Sequence, residues 1–434
     1  MPIILNAIYG LLLLIALPAL AWRSWKTGRY RRHLRAKLVG THLPVKSLAK
    51  PIWFHGVSVG EIHLLRTVVA AFQKRHPQIP LIISSTTDTG LAEARKCFPD
   101  IPVLAWPFDF SWAVNRTLRS LTPQVVILAE SELWPNFLHA ANRMQIPVLV
   151  VNGRMSPRST RRVRKFARLV KPLLYNRVGR FLMQTEEYAA NLVSIGIPAI
   201  KITVTGSVKY DGALKILSNS ASLGLRDILG ISEEETVLVA GSTHAPEEEI
   251  LLAGYRNLKS EFPNLRLVLV PRSPERFEAV ANLVNAFQLP LVRRSCGLKS
   301  ESNEEVILID TLGELSAVWG FAHLGYVGGS FDGQRGGQSM IEPAGYGVPT
   351  LFGPHIWNFR DTVQRLLACG GAIKLESPDG LETQLRQWLQ NPELRISAGK
   401  AARALIESQQ GATQKTIDEI ERYCESNPAR RQAA

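Results

Sequence analysis

The sequence predicts an α/β protein with two doubly wound domains that face a cleft, preceded by an N-terminal hydrophobic membrane-anchor helix. Short apolar runs rich in β-formers alternate with helical patterns along most of the chain, and an uncharged apolar stretch opens it. The 434 residues exceed one domain of about 100–200 residues. Hydrophobic residues make up 46% and charged residues 20%, which excludes a mostly disordered chain. The four cysteines lie far apart, which excludes a zinc ribbon and a dense disulfide framework.

The first element is an apolar run from Ile3 to Trp22 without a charged residue. A helix of this length can span about 30 Å of hydrocarbon. No Lys or Arg precedes the run, whereas residues 1–40 hold seven Lys/Arg and no acid, all after it. A cleaved signal peptide is the alternative, because residues 19–21 (Ala-Leu-Ala) resemble a cleavage site. The basic C-terminal flank favours an uncleaved anchor that spans the membrane or lies in its interface, with the rest of the chain in the cytoplasm.

The net charge of +14 is concentrated in two segments. One is residues 1–40, and the other is residues 151–180, which hold ten Lys/Arg and no acid. Basic segments attract nucleic acid or acidic lipid, and the adjacent apolar anchor favours anionic membrane lipids. Within the second segment we predict a helix over 161–178 with one buried face. That face comprises Phe166, Leu169, Val170, Leu173 and Leu174.

The alternation of apolar runs and helical patterns after the basic segment predicts two parallel sheets, each covered on both faces by helices. Strands of the first domain are predicted at 52–55, 81–85, 103–106, 125–130, 148–152, 181–184 and 202–205. Strands of the second are predicted at 236–240, 265–270, 306–309, 324–327, 350–352 and 372–375. The predicted organisation is an anchor and basic segment at 1–40, a domain at 41–210, a linker at 211–233, a domain at 234–408, and a C-terminal helix and polar tail at 409–434.

Polar residues follow the strands of the first domain, where ligands bind in doubly wound folds. Glu61 lies at the start of a predicted helix, after a glycine-containing loop. It is either a helix-capping residue or a general base that takes a proton from a hydroxyl. Glu130 and Glu132 follow an apolar strand, so they are paired with a base such as Arg154 or they take part in chemistry. Lys209 is either a surface charge or a partner for a substrate carboxylate or phosphate.

The second domain carries a glycine-rich strand-to-helix junction over 325–337, and Ser339, Met340, Ile341 and Glu342 open the helix that follows. Backbone N–H groups at such a junction attract an anion, although the spacing matches neither a Walker loop nor a dinucleotide fingerprint. Other strand ends lead into Pro271 and Arg272, into residues 312–314, and into His244, which is a structural histidine or a ligand contact.

These segments, in this order, resemble the 3-deoxy-D-manno-octulosonic acid (Kdo) transferases, inner-membrane glycosyltransferases of lipopolysaccharide synthesis. The resemblance covers nearly the whole chain, and its motifs are HGVSVGE, ESELWPN, NGRMSPRS, TGSVKYD, GSTHAPEEE, VPRSPER, DTLGEL, VGGSF and GGQSMIEPAGYGVPTLFGPH. It implies a GT-B glycosyltransferase with two Rossmann-like domains. It also implies inverting transfer of Kdo from CMP-Kdo to the 6-hydroxyl of the distal glucosamine of a lipid A precursor of the lipid IVA type. CMP would be released without a metal or other cofactor.

The resemblance implies a role for each residue at a position that matches the family's motifs. Glu61 would be the catalytic base, and Glu130 and Lys209 would stabilise the transition state. The CMP-binding positions would be Pro271, Arg272, Leu312, Gly313, Glu314, Ser339, Met340, Ile341 and Glu342. Related sequences usually have Asn where this chain has Ser339, a shorter side chain that weakens the expectation of direct nucleotide contact there. The implied partners are CMP-Kdo, the lipid A precursor and anionic lipids of the cell inner membrane, with the catalytic domains on its cytoplasmic face and no nucleic acid.

Two other functions fit the same patterns. One is a different GT-B enzyme that acts on a UDP-sugar, such as an epimerase or a lipid hexosyltransferase. The other is a non-enzymatic, membrane-anchored protein that binds RNA or acidic lipid through its two basic segments, with salt-sensitive binding independent of Glu61, Glu130 and Lys209.

Overall fold

The computed structural model describes residues 2–27, 33–41, 50–130, 132–213, 220–297 and 306–425. The chain divides into two compact units, Met1–Asp211 together with Gln410–Ala434, and Gly212–Gln409. Parts of all five predicted segments lie outside the described residues: 1 and 28–32 of the anchor and basic segment, 42–49 and 131 of the first domain, 214–219 of the linker, 298–305 of the second domain and 426–434 of the tail.

The first unit contains, within the described residues, a seven-stranded parallel sheet of order β3-β2-β1-β4-β5-β6-β7. Its strands are β1 (Ile52–His55), β2 (Leu81–Ser85), β3 (Val103–Ala105), β4 (Val125–Ala129), β5 (Val148–Gly153), β6 (Arg180–Met183) and β7 (Ile202–Val204). Its helices up to the boundary are α1 (Pro2–Thr27), α2 (Leu34–Val39), α3 (Val59–Arg75), α4 (Asp88–Cys97), α5 (Ser111–Leu121), α6 (Pro135–Arg143), α7 (Pro157–Lys165), α8 (Ala167–Leu173), α9 (Glu186–Ser194) and α10 (Val208–Asp211).

Alternating side chains of the inner strand β1 belong to two separate cores. Ile52 and Phe54 belong to the cluster that includes α3 and α4, whereas Trp53 belongs to the cluster that includes α5 and α6. All three side chains are completely buried. Helices therefore cover both faces, which explains why these strands are apolar without interruption.

Helix α1 is long and apolar enough to cross a membrane over Pro2–Ala19, a test that a signal sequence also passes. Two of its polar side chains contact the first unit. Asn6 accepts a hydrogen bond from the Ser111 N–H (3.0 Å), so it caps α5, and the Tyr9 hydroxyl donates to Asp109 (3.0 Å). Asp109 accepts the Asn136 N–H (2.9 Å) at the start of α6. The apolar helix is thus attached to the body at two helix N-termini.

The second unit contains, within the residues described, a parallel sheet of order β10-β11-β9-β8-β12-β13-β14. Its strands are β8 (Thr236–Thr243), β9 (Leu265–Pro271), β10 (Leu291–Arg293), β11 (Val306–Leu308), β12 (Leu324–Val327), β13 (Thr350–Phe352) and β14 (Ala372–Lys374). Its helices are α11 (Ser220–Leu229), α12 (Glu247–Lys259), α13 (Phe277–Ala286), α14 (Leu315–Trp319), α15 (Ile341–Gly345), α16 (Arg360–Ala368), α17 (Gly380–Gln390) and α18 (Pro392–Ser408).

The last helix, α19 (Ala412–Glu425), returns to the first unit and packs on α3 and α10. Ile417, Ile420 and Cys424 are buried in the core that includes α3. Asp211 caps α19, because its carboxylate accepts the Gly411 N–H at 2.8 Å and the Thr413 N–H. The second unit is therefore inserted between the body of the first unit and its final helix.

The predicted fold class is confirmed: the protein is α/β with two doubly wound parallel sheets and an apolar N-terminal helix. One predicted helix is wrong in detail. The 161–178 segment breaks at Phe166 into α7 and α8, and α8 buries none of its side chains. Phe166 and Leu169 are exposed, whereas Val170, Leu173 and Leu174 are half-buried, so the predicted face is only partly covered. Pro172 lies inside α8 and removes a helical hydrogen bond, which explains the short helix.

Candidate active site

Glu61 is held at the start of α3 by a capping box. Ser58 is the N-cap and Glu61 is the third helical residue, and each side chain bonds the other's backbone. The Oε2 atom of Glu61 accepts the N–H of Val57 and that of Ser58 (3.3 Å). The hydroxyl of Ser85 fixes this loop by donating to the Val57 carbonyl at 2.9 Å. Among the described residues no hydrogen bond reaches Oε1 of Glu61, which leaves this oxygen available to accept a proton.

Glu61 lines a cavity of about 320 Å³ in the first unit. The cavity is lined by Glu61, Glu130, Glu132, Arg154, Ser156 and Ser159. Burial raises the pKa of Glu61, and the charges of Glu130 and Glu132 raise it further, against the lowering effect of the two backbone N–H groups. Burial and the charge of Glu130 also raise the pKa of Glu132. Three carboxyl groups thus share one cavity, an arrangement typical of proton-transfer sites.

Lys209 forms an ion pair with Glu130, with Nζ 3.1 Å from Oε1. Both residues are positioned by unusual backbone features. Glu130 has φ of 59°, and buried Asn152, with φ of 54°, accepts the Val208 N–H at 3.2 Å beside Lys209. The structure therefore brings together the three residues proposed for catalysis, and Glu130 pairs with Lys209. The sequence alone did not identify this pairing, because the two residues are 79 positions apart.

The residues proposed to bind nucleotide lie in the second unit, at the carboxyl ends of neighbouring strands. Pro271 ends β9, and Arg272 follows it with its N–H bonded to the Thr243 carbonyl at the end of β8 (3.1 Å). Residues 312–314 follow the adjacent strand β11. Since parallel strands end at one edge of a sheet, these segments share the edge where ligands bind in such folds.

Buried Glu247, which was not predicted from the sequence as a site residue, organises this edge. Its carboxylate accepts six hydrogen bonds, from the N–H groups of His244, Gly329, Ser330 and Phe331 and the hydroxyls of Tyr326 and Ser330. A Cβ atom at Gly328 would lie 2.7 Å from the same carboxylate. The glycine-rich loop after β12 is therefore fixed by a buried anion at the start of α12. The three consecutive glutamates at 247–249 are the sequence feature that could have indicated this residue.

His244 marks a positively charged part of the same edge. Burial lowers the pKa of His244, and the charges of Arg335, Arg276 and Arg272 lower it further, against the raising effect of Glu247. Its Nε2 atom is buried and has no hydrogen-bond partner within the described residues. Arg276 is paired with Glu248 (2.9 Å) and Arg335 with Asp332, whereas Arg272 has no ion pair in the described part of the chain. This arrangement favours an anionic ligand.

The other predicted nucleotide contacts differ in exposure. Leu312 is 71% exposed, and Gly313 has φ of 90° with open space where a Cβ would stand. Glu314 is paired with Arg294 at 3.1 Å, so its carboxylate is already occupied.

In the last predicted segment Ser339 is exposed and Glu342 is half-buried, but Met340 and Ile341 are buried. The side chains of Met340 and Ile341 therefore serve packing, and only their backbone is left to meet a ligand.

One group among the described residues could offer metal ligands: His63, Glu93 and Cys97, between α3 and α4. Burial and the charge of Glu93 raise the pKa of the Cys97 thiol, which disfavours the thiolate that a metal needs. Arg66 lies beside the same thiol and repels a cation. None of the three residues lines the cavity of Glu61.

The fold and site define a class of protein. The chain has the GT-B glycosyltransferase fold of two doubly wound units, and its structure is similar to that of UDP-GlcNAc 2-epimerase from Neisseria meningitidis, bound to UDP-GlcNAc. That similarity has a TM-score of 0.54 at 16% identity and covers 87% of this chain and 100% of the other. At this identity the similarity concerns the fold alone.

Sequence comparisons define the family. Residues 27–212 match the model for 3-deoxy-D-manno-octulosonic-acid transferase (kdotransferase). The chain is 30% identical over 427 residues to the 3-deoxy-D-manno-octulosonic acid transferase of Haemophilus influenzae, covering 96% of this chain and 99% of the relative. It is 32% identical over 410 residues to that of Bordetella pertussis, covering 92% of each. The chain belongs to the Kdo transferase family, and it is a glycosyltransferase.

Proposed function

We propose that this protein transfers Kdo from CMP-Kdo to the 6-hydroxyl of the distal glucosamine of a lipid A precursor of the lipid IVA type, with inversion and release of CMP. The observation that carries the proposal is the cavity of the first unit, where Glu61 lies with Glu130 and Glu132. The Glu130–Lys209 ion pair adjoins them at 3.1 Å. Membership of the Kdo transferase family identifies the transferred sugar, whereas the donor and the acceptor are part of our proposal.

In the proposed reaction the acceptor hydroxyl oxygen attacks the anomeric carbon of Kdo, and the bond from that carbon to the phosphate oxygen of CMP breaks. Oε1 of Glu61 takes the hydroxyl proton, while CMP departs with the electron pair. A positioned base of this kind contributes about 100- to 10,000-fold. Lys209 carries the positive charge that would stabilise the carboxylate of Kdo.

On the donor side, we assign the CMP phosphate to the edge around Arg272, which has no ion pair within the described residues. The cations that surround His244 support this assignment, because they favour an anionic ligand at this edge. Ser339 is exposed at the start of the last predicted segment, so its short hydroxyl can still meet the nucleotide through water.

We further propose that the protein acts at the inner membrane, with both units on the cytoplasmic side. Helix α1 has the length and composition of an anchor. Phe166 and Leu169 are exposed among the basic residues of α7 and α8, a pattern typical of surfaces that meet anionic lipid. The acceptor is itself a membrane lipid, so an anchored enzyme would meet it without leaving the bilayer.

Glu61→Gln tests the catalytic role. We expect CMP-Kdo binding to persist and transfer to fall by about 100-fold or more. Glutamine keeps a carbonyl oxygen for the capping bonds, so the fold should survive. Glu186→Gln, at an exposed acid in the first turn of α9, is the matched control and should leave transfer unchanged. Calorimetry of CMP-Kdo binding and mass spectrometry of the lipid product measure the two effects, and full turnover by Glu61→Gln would refute the role.

The donor distinguishes this proposal from the other enzyme activities. Incubation with a lipid A precursor and either CMP-Kdo or a UDP-sugar should give a mass increase of the lipid with CMP-Kdo alone. Consumption of the UDP-sugar with CMP-Kdo untouched would identify a different GT-B enzyme. Lipid binding without consumption of either donor would identify a non-enzymatic protein.

A further inference from the structure

A cavity of about 750 Å³ lies on α5 and α6 of the first unit, apart from the cavity of Glu61. It is lined by Trp112, Asn115, Arg116, Arg119, Ser120, Arg143 and Met144. The two cavities share no lining residue. Helices α5 and α6 pack against one face of the sheet and α3, which carries Glu61, packs against the other. The proposed transfer reaction does not use this cavity.

The cavity is basic. Arg116, Arg119 and Arg143 are exposed, and no carboxylate of the described residues lies within ion-pair distance of any of them. Three unneutralised guanidinium groups around one cavity favour an anion, and the planar fork of arginine suits phosphate oxygens.

An apolar groove of about 270 Å³ lies close to the basic cavity. It is lined by Tyr9, Leu12, Leu13, Phe108, Asp109, Phe110 and Trp134, so one wall is the membrane-type helix α1. Phe110 of the groove stacks on Trp112 of the basic cavity, with ring centroids 4.6 Å apart. The indole N–H of Trp112 donates to the Leu38 carbonyl at 2.9 Å. This bond fixes the Trp112 ring between the basic cavity and the apolar groove.

The combination matches an amphiphile with an anionic head. An apolar groove beside α1 suits an acyl chain, the arginines suit a phosphate, and Trp112, which is 53% exposed, is the residue type of membrane interfaces. We propose that this surface, formed by α1, α5 and α6, binds an anionic glycerophospholipid of the membrane that holds α1, with its phosphate at the arginines and one acyl chain in the groove. Neither basic segment recognised in the sequence supplies these arginines.

The first experiment titrates the detergent-solubilised full chain with palmitoyl-oleoyl phosphatidylglycerol or with the matching phosphatidylcholine, and native mass spectrometry counts the bound lipids. We expect phosphatidylglycerol to bind about 10- to 100-fold more tightly. The triple variant Arg116→Gln, Arg119→Gln, Arg143→Gln should abolish this preference, with circular dichroism unchanged because the side chains are exposed. An unchanged preference in that variant would overturn the proposal.

The matched control removes three exposed cations of the second unit, by Arg256→Gln, Arg360→Gln and Lys400→Gln. It should keep the preference; an equal loss would show only a response to net charge. Leu13→Gln, in the apolar groove, should weaken binding of both lipids alike, and no effect there would refute the acyl-chain contact.

Two competitors separate the lipid from other anions. Inorganic phosphate should not displace phosphatidylglycerol, and displacement would make the cavity a site for free anions instead. The lipid A precursor should not displace it either, and the triple variant should keep the KM for the acceptor. A raised acceptor KM together with displacement would assign the cavity to the acceptor and overturn the proposal.

Discussion

Glu61 experiences two opposing influences on its pKa. Burial and the neighbouring carboxylates Glu130 and Glu132 favour the protonated acid, whereas the N–H groups of Val57 and Ser58 favour the carboxylate. The balance raises the pKa. A raised pKa makes the carboxylate a stronger base while leaving it ionised above that pKa, which suits general base catalysis near neutral pH.

The pH profile of transfer should reflect this balance. The base must be ionised, so kcat/KM should fall as the pH drops through the raised pKa of Glu61, above the ordinary glutamate value of about 4.3. Glu132→Gln removes one of the negative charges that raise this pKa, so the acid limb should move to lower pH. Initial rates from pH 4 to pH 9 measure the limb, with Glu186→Gln as the unshifted control. A limb that stays in place or moves upward would contradict the assignment of Glu61 as base.

At the scale of elements, the glycine-rich loop after β12 depends on a residue of α12. Glu247 is 1% exposed, so its six hydrogen bonds stand in for water around a buried charge. Glycine is required at Gly328, where any Cβ would lie 2.4 Å from the Ser242 carbonyl. The loop is therefore shaped before any ligand arrives.

Glu247→Gln tests this arrangement. The amide nitrogen would face donors rather than acceptors, so we expect a loss of about 3 kcal/mol or more in the free energy of unfolding and a raised KM for CMP-Kdo. Glu249→Gln, at an exposed acid in the same helical turn, is the matched control and should change neither quantity. Thermal melting and donor titration measure them. Normal stability and donor KM in Glu247→Gln would show that the loop holds its shape without the carboxylate.

Most strands could be predicted from the sequence, because apolar β-rich runs between helical patterns are a strong local signal. The missed strand β10 has only three residues at a sheet edge and begins after a proline. The break at Phe166 was also missed, because exposed apolar residues among bases mimic a buried helical face. At the candidate site, the position of Glu61 at a helix start was predicted. The cavity that Glu61 shares with Glu130, and most donors to Glu247, depend on residues distant in sequence.

At the scale of the whole molecule, the chain crosses between its two units twice, at Asp211/Gly212 and at Gln409/Gln410. The final helix α19 completes the core of the first unit with Ala412, Ile417, Ile420 and Cys424, all buried. Outside the core Arg75 of α3 is paired with Asp418 (2.9 Å). The helix is part of the first domain despite its distance in sequence.

Truncation after Gln409 should therefore damage the first unit. Losing the two buried isoleucines at about 1.5–3 kcal/mol each removes roughly 3–6 kcal/mol, and the smaller Ala412 and Cys424 side chains add to it. This loss is a large part of the stability of a typical domain. We expect the truncated chain to aggregate or to melt at least 10 °C lower. Truncation after Glu425, which keeps all of α19, is the control. Equal melting temperatures for the two chains would show that the first unit is stable without α19.

The return of α19 also sets the timing of biosynthesis. At a translation rate of about 5–20 residues per second, synthesis of the 198 residues of Gly212–Gln409 takes roughly 10–40 s. Helix α19 is made only after that time. During that interval the apolar surface of α3 that α19 buries in the folded protein is exposed, and the N-terminal helix has already left the ribosome. Nascent chains should therefore need a chaperone or the bilayer itself until the last residues are made.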